Sequence, residues 1–280
     1  MIKKASYETI ITEKEMSPVK CRWNSPSSKI YPTNLAYHKE VEIHYIKKGT
    51  GSYFIKNRLY PFEKNYLIII KSEEIHRFLP SGNNPLLEKG SLYLSPSFIK
   101  ADKKLYSTLK NCPHTIILSE REATLTEIIL KNIADEINRK EKNWEEIVYY
   151  EVMLFISILK RYSIRKRKLD ISQNSLTEKI IEYIEKNFTN RLLLSDISKE
   201  FSISESHLSH LFKRETGLSV KQYILQRRIV EAKKLLSEPD IKVTAISTKV
   251  GFDNFSLFNR IFKKTIGLTP YNYRRISKRG

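Results

Sequence analysis

Two sets of residues in this sequence have types and spacings that could do chemistry. The first is His38, Glu40, Glu42 and His44, with His76 further along. At strand spacing, residues 38, 40, 42 and 44 share one face, and a second strand could bring His76 up to them. Imidazoles and carboxylates gathered in this way could ligate a divalent transition metal. They could equally hydrogen-bond a small polar ligand, or form a polar lining or a solvent face. Arg22, Trp23, Tyr53, Tyr60 and Arg77 are further pocket candidates, because aromatic and charged groups together suit a sugar or another small polar molecule. No nucleophile triad, phosphate-binding loop or zinc-ligand spacing occurs, which argues against an enzyme. No catalytic residue, resident metal or cofactor is therefore assigned.

The second set lies near the C-terminus. Helical spacing puts Ser206, Ser209 and His210 on the outer face of one helix, with Glu205 and His207 beside them, and Phe255, Ser256, Asn259 and Arg260 on the outer face of another. Arg260 can be bidentate to guanine O6 and N7, and Asn259 to adenine N6 and N7. His210 occupies the position equivalent to Arg260 and could donate to a guanine or a phosphate. Phe255 could pack on thymine methyl groups or serve as a core contact. Glu205 could accept from cytosine N4 or complement the helix N-terminus. Lys213, Arg214, Lys263, Lys264, Arg274 and Arg275 suit phosphate contacts, which add affinity without sequence preference.

The elements that must position this second set are legible as an internal repeat. The segment Leu211 to Tyr223 returns fifty residues later as Ile261 to Tyr273, aligning Phe212 with Phe262, Gly217 with Gly267 and Leu218 with Leu268. Upstream of each copy the pattern predicts a helix, a short turn and a second helix. In the first unit these are Leu194 to Phe201, a turn at Ser202 and Ile203, and Glu205 to Thr216 capped by Ser204. In the second they are Val243 to Val250, a turn at Gly251 to Asp253, and Phe255 to Ile266 capped by Asn254. Ser198 and Ser247 are small enough for close helix crossing, and Ile203 and Phe252 reach the core from the turns. Leu208, Leu211 and Phe212, and then Phe258, Ile261 and Phe262, make the inner stripes. Ser198 and Ser247 are 49 apart while Phe212 and Phe262 are 50 apart, so one residue has been added in the second turn. Each unit is a helix-turn-helix whose outer face is free to enter a major groove, and a long amphipathic helix at about Val220 to Leu236 separates them.

Composition agrees with such a partner. Fifty Lys and Arg against 31 Asp and Glu give a net charge of +19. That surplus favours nucleic acid first and an anionic membrane surface second, although a lysine-rich solvated surface would read the same. Cys21 and Cys112 stand alone, the N-terminus has no apolar signal core, and no apolar run reaches membrane length, so a cytoplasmic protein is expected. Length suggests two domains. From Asn34 to about Leu94 short strands alternate with turns. After Ser119 the period becomes helical: Leu125, Ile128, Ile129, Ile133 and Ile137 are expected on one helix face, followed by a second helix at about Trp144 to Tyr162. Six of the nine residues from Lys160 to Lys168 are basic, and the boundary is placed there. The expected division is a first domain at 1–165, with a barrel at about 20–110 and helices at about 120–162, a linker at 166–174, and a second domain at 175–280.

From about Leu176 to Arg275 the sequence resembles the AraC/XylS family of bacterial transcription regulators. The likeness is carried by Gly251-Phe252, Phe262-Lys263-Lys264, Gly267-Leu268-Thr269-Pro270 and Tyr273-Arg274-Arg275. It implies a seven-helix DNA-binding domain, monomeric on DNA, with two recognition helices in successive major-groove segments. Leu193 stands where Ser or Thr often caps the first supporting helix, Ser198 and Ser247 replace the usual Ala, and Phe255 occupies a position usually polar or Pro. His38 to Pro80 resembles the cupin-like barrel that precedes this domain in many members, through His38 to Ile43, Gly49-Thr50-Gly51 and Glu74-Ile75-His76. Lys64-Asn65 replaces a usual Gly-Asp turn, and no Pro precedes Glu74. The expected fold class is α+β, an N-terminal cupin-like β-barrel with following helices and a C-terminal all-α domain with two helix-turn-helix units. The implied function is a regulator of transcription, most often an activator, that binds double-stranded DNA under control of a small-molecule effector such as a sugar. The implied partners are a second copy, contacted through the helices at 121–162, and RNA polymerase, with no membrane. A barrel that only dimerises, or a metal-dependent cupin enzyme fused to a DNA-binding domain, are the alternatives.

Overall fold

A computed structural model of the chain describes residues 18–24, 35–56, 58–80, 87–166, 175–238 and 241–277. These fall into two compact units, one ending at residue 166 and the other beginning at residue 175. The expected linker lies outside the described residues apart from Lys166.

The first unit contains eight strands among the described residues: β1 (Val19–Asn24), β2 (Val41–Lys48), β3 (Gly51–Ile55), β4 (Arg58–Phe62), β5 (Tyr66–Ile70), β6 (His76–Pro80), β7 (Glu88–Leu94) and β8 (Thr115–Ile117). All pairings are antiparallel. They form two sheets, in the orders β1-β7-β2-β5-β8 and β4-β3-β6, rather than one closed ring. Alternation along β2 decides what each face does. Val41, Ile43 and Tyr45 point into the core beneath the helices, whereas Ile46 joins Ile68, Ile70, Leu87, Tyr53, Ile55, Phe62 and Phe78 between the sheets. Glu42 and His44 share the face of Ile46, and both are buried.

Within the expected barrel span, residues 96–111 are two short helices, α1 (Pro96–Ala101) and α2 (Lys103–Asn111). Their starts are locally encoded: the Ser95 hydroxyl accepts from the Phe98 N–H with Pro96 following, and the Asp102 carboxylate accepts from Lys104 and Leu105 N–H. The helices α3 (Glu120–Arg139) and α4 (Trp144–Lys166) complete the unit. Ser119 and Glu122 close a capping box at the start of α3. The face expected for α3 divides. Ile129 and Ile133 are buried, with Leu130 and Ala134, but Leu125 and Ile128 are 40% and 50% exposed. At about 100° per residue, they lie on the side of the helix opposite Leu130.

Among the described residues the second unit has seven helices: α5 (Leu176–Asn187), α6 (Leu194–Glu200), α7 (Glu205–Thr216), α8 (Val220–Ser237), α9 (Val243–Lys249), α10 (Phe255–Ile266) and α11 (Pro270–Ser277). Leu193 offers no side-chain cap to α6, and only the other half of a capping box is present: the Asp196 carboxylate accepts from the Leu193 N–H at 2.9 Å.

Candidate nucleic-acid interface and barrel site

The two helix-turn-helix units are built alike, bond by bond. The Ile203 N–H donates to the Ser198 carbonyl at 3.0 Å, and the Phe252 N–H to the Ser247 carbonyl at 2.9 Å. The buried Ser198 and Ser247 hydroxyls donate to carbonyls of their own helices, at Ser195 and Thr244, and so act as small residues at the crossing. Each turn needs one left-handed residue, Ser202 with φ 52° and Gly251 with φ 93°. The 49-residue offset therefore holds through the turn, and the added residue is Asp253. Ser204 and Asn254 then cap α7 and α10 by accepting from the His207 and Leu257 N–H groups. Gly217 and Gly267 end these helices in left-handed conformation, each donating at 2.8 Å to the carbonyl of Lys213 or Lys263. Edge-to-face pairs repeat too: Phe212 with Tyr223 at 5.6 Å, and Phe262 with Tyr273 at 5.7 Å.

This construction turns the expected base-contact residues outward. Ser206 and His210 are exposed on α7 with Ser209 half-buried, and Ser256 and Arg260 are exposed on α10 with Asn259 half-buried. Phe255 is 39% exposed, and its ring centre lies 6.1 Å from that of the buried Phe258. Lys213, Arg214, Lys263, Lys264 and Arg275 are exposed, with Arg214 beside Glu215 at 3.3 Å. Arg274 departs from its expected role as a phosphate ligand. Its Nε and Nη1 donate to the carbonyls of Leu236 and Ile241 at 3.3 and 2.6 Å, so it ties α11 to the end of α8, where the last helical carbonyls need donors.

In the first unit, His38, Glu42, His44 and His76 do come together between the sheets. Glu42 is the hub, 2.8 Å from His38 Nε2, 2.7 Å from His44 Nε2 and 3.8 Å from His76 Nε2. His76 Nδ1 donates to the Glu74 carbonyl at 2.9 Å, which leaves the Nε2 lone pair facing Glu42. His44 stacks on Tyr53 at 5.2 Å and its Nδ1 meets Ser91 Oγ at 2.9 Å. Tyr60 is half-buried and packs edge-on against His114. Trp23 lies elsewhere. It is in register with Gly90 and packs on Tyr45, on the helix-covered face of the sheet, where a Cβ on Gly90 would be 2.8 Å from the indole. Arg22 is in register with Ser91, on the His44 side, but is exposed on an edge strand. Arg77, in register with Phe54, alternates away from His76 and Phe78. Sequence reasoning missed Lys89 and Ser91. Their alternation along β7 was a usable signal, but their meeting with Tyr53 and His44 depends on strand pairing. Lys89 is buried, and its Nζ donates to the Tyr53 hydroxyl at 3.0 Å.

Residues 197–276 match a family model described as a helix-turn-helix domain, and residues 31–135 match one described as an AraC-like ligand binding domain. The transcriptional activator AarP of Providencia stuartii is 37% identical over 108 residues, which are 39% of this chain and 80% of that protein. The chain belongs to the AraC family. The uncharacterized regulator YdiP of Escherichia coli is 26% identical over 245 residues, 85% of this chain and 80% of its own length. The transcriptional activator RhaR of an Enterobacter species is 22% identical over 259 residues, covering 89% of this chain and 90% of its own. As an AraC-family member, the protein is a DNA-binding transcription regulator with a ligand-binding domain, and its relatives are named as regulators rather than enzymes. Among the described residues, no helix is long and apolar enough to cross a membrane.

The electrostatics of the AraC-family barrel centre follow from this packing. Burial opposes charge on His38, but the Glu40 and Glu42 carboxylates, 3.3 and 2.8 Å from its ring nitrogens, outweigh it and raise its pKa to about 9. Burial and the nearby Lys89 push His44 down to about 4, and burial lowers His76. Glu42 is held well below the usual carboxylate range against its burial, because His38 and His44 hydrogen-bond to it. Burial also lowers Lys89 to about 8. At neutral pH the centre thus carries a carboxylate, one imidazolium and two neutral imidazoles, a dense set of donors and acceptors.

Proposed function

We propose that this regulator binds an operator in double-stranded DNA through α7 and α10 in successive major-groove segments, and that a small polar effector in the barrel tunes that binding. The observation that carries the reading is the equivalent construction of two helix-turn-helix units, each turning its polar stripe outward. Adjacent groove segments on one face of DNA repeat every ~34 Å, so two such helices on one rigid unit can read a continuous site. Ser206, Ser209, His210, Phe255, Ser256, Asn259 and Arg260 meet base edges in this reading. Lys213, Arg214, Lys263, Lys264 and Arg275 meet phosphates. His38, Glu42, His44, Tyr53 and His76 line the effector site, where paired donors and acceptors suit a sugar or another polyhydroxylated molecule. The exposed Leu125, Ile128, Ile147 and Leu154 support a contact between two copies through α3 and α4. The names of RhaR and AarP support an activator, for which RNA polymerase is the expected partner.

The test is selection of binding sites from random duplexes, then titration of variants. Arg260→Ala is expected to lose about 1–3 kcal/mol on the selected site and little on random DNA, while Lys263→Ala weakens both alike and lowers the salt slope. Equal losses on both DNAs for Arg260→Ala would remove it from base readout.

A second reading is favoured by His38, Glu42 and His76, whose ligand atoms lie within 4.8 Å of one another. The His76 imidazole, the Glu42 carboxylate and His38, which would give up its proton on binding, suit a divalent transition metal, and the Glu74 carbonyl already orients His76 as an outer partner of a metal ligand would. Here the barrel ligand is the metal itself. Chelator-treated protein would then melt at a higher temperature on adding zinc or manganese, and His76→Ala would abolish the shift. An unchanged melt with both ions leaves the organic effector.

A further inference from the structure

Two recognition helices read one site only if the units that carry them keep a fixed separation and rotation. The helix α8 packs against both helix-turn-helix units, and two adjacent arginines on it face back toward α5. Arg227 serves the first unit alone. It is buried, pairs with Glu185 at 2.7 Å and Glu231 at 2.9 Å, and stacks over the Phe188 ring at 4.2 Å. Arg228 does something different. Its Nε donates to the Phe188 carbonyl at 2.7 Å and its Nη2 to the Asn190 carbonyl at 2.8 Å, both at the end of α5, while its guanidinium lies 5.7 Å from the ring centre of Phe252 in the turn of the second unit.

The second turn closes on the same point. A Cβ on Gly251 would come within 2.5 Å of the Thr189 carbonyl oxygen and 3.0 Å of the Arg228 guanidinium carbon. Only a residue without a side chain, in the left-handed conformation found there, lets the turn approach this closely. Three elements distant in sequence thus meet at one guanidinium: the end of α5, the middle of α8, and the turn that aims α10. A planar fork with several donors can hold two carbonyls while offering its flat face to an aromatic ring, which an ammonium cannot do.

We infer that Arg228 is a positioning residue that sets the spacing and rotation between α7 and α10, and thereby the length of operator that the regulator accepts. This rests on the reading that both helices enter DNA. It goes further in assigning site length to a residue that need touch no DNA.

The experiment uses the full chain and a duplex selected by the unaltered protein, with zero, one or two base pairs inserted between its two half-sites. Each insertion rotates one half-site by about 34°. The unaltered protein is expected to lose about tenfold or more in affinity per inserted pair, comparable with a mismatched base contact. Arg228→Met keeps an unbranched apolar stem and removes the fork. It is expected to bind the original duplex several-fold more weakly and to lose less than about threefold per insertion, so that the spacing profile flattens. Arg228→Lys, which retains the charge, should flatten it in the same sense and guards against a misfolded methionine variant, with melting curves checking that both fold. A lower affinity with the same steep profile in these variants would make Arg228 merely structural and overturn the inference, as would an unchanged affinity and profile. If the unaltered protein itself shows no dependence on spacing, the two-helix reading of DNA falls first, and the inference falls with it.

Discussion

Truncating Phe262 to alanine is expected to destabilise the second unit by about 3–5 kcal/mol and to abolish binding to a selected operator. Phe262 is fully buried and packs on Phe258 at 5.6 Å and on Tyr273 at 5.7 Å, so its ring joins α10 to α11. Removing it leaves a cavity between these helices, and rigid aromatic neighbours collapse poorly into such a space. Phe212→Ala should cost a similar amount in the first helix-turn-helix, because Phe212 makes the equivalent contact with Tyr223. Denaturant melts followed by circular dichroism would measure both. A loss below 1 kcal/mol at either position would mean that the neighbours close over the gap.

Glu42→Ala should act as strongly in the barrel, costing about 3–5 kcal/mol near pH 6.5, because it takes one of two carboxylate partners from the half-buried His38 imidazolium and leaves the buried His44 Nε2 without its acceptor. The pH dependence has a definite sign. His38 is raised to about 9 in the fold, so its contribution is full below the ordinary histidine value and fades as pH rises from about 6.5 to about 9. His44 works in the opposite sense. Its value of about 4 means that the fold resists its protonation, so stability falls as pH drops below about 6.5. Chelator-treated wild-type protein should therefore be most stable near pH 6.5. The cost of Glu42→Ala should shrink toward pH 9.5, where His38 is neutral with or without its partner. Urea midpoints at the two pH values decide the matter, and a cost that does not change with pH would show that His38 carries no charge in the fold.

The DNA-binding half was legible in the sequence because its rules are local. A cap at Ser204 or Asn254, a glycine at 217 or 267, and a stripe at 208, 211 and 212 or 258, 261 and 262 all act within one helix length. Even the added residue in the second turn could be counted, since the repeat supplied its own ruler. Arg274 was the exception, because its partners, the Leu236 and Ile241 carbonyls, lie more than thirty residues away in the chain.

The barrel was legible as strands, and Glu42 and His44 as one face of β2, since residues two apart on a strand share a side whatever it pairs with; His38 and Glu40, expected on the same strand face, instead precede β2, Glu40 in a bend. What surrounds that face belongs to the tertiary structure. Pairing β1 with β7 put Trp23 above Gly90 and so behind the sheet, and the same β7 carried Lys89 to Tyr53 and Ser91 to His44. The contact of Arg228 with the end of α5 and the second turn was equally out of reach, because it requires α5, the middle of α8 and that turn to be in place together. By itself the sequence determined which side chains share a face, because backbone periodicity is an intrinsic property of the chain. Only the tertiary structure decided which faces meet, because that depends on strand register and helix packing between residues far apart in sequence.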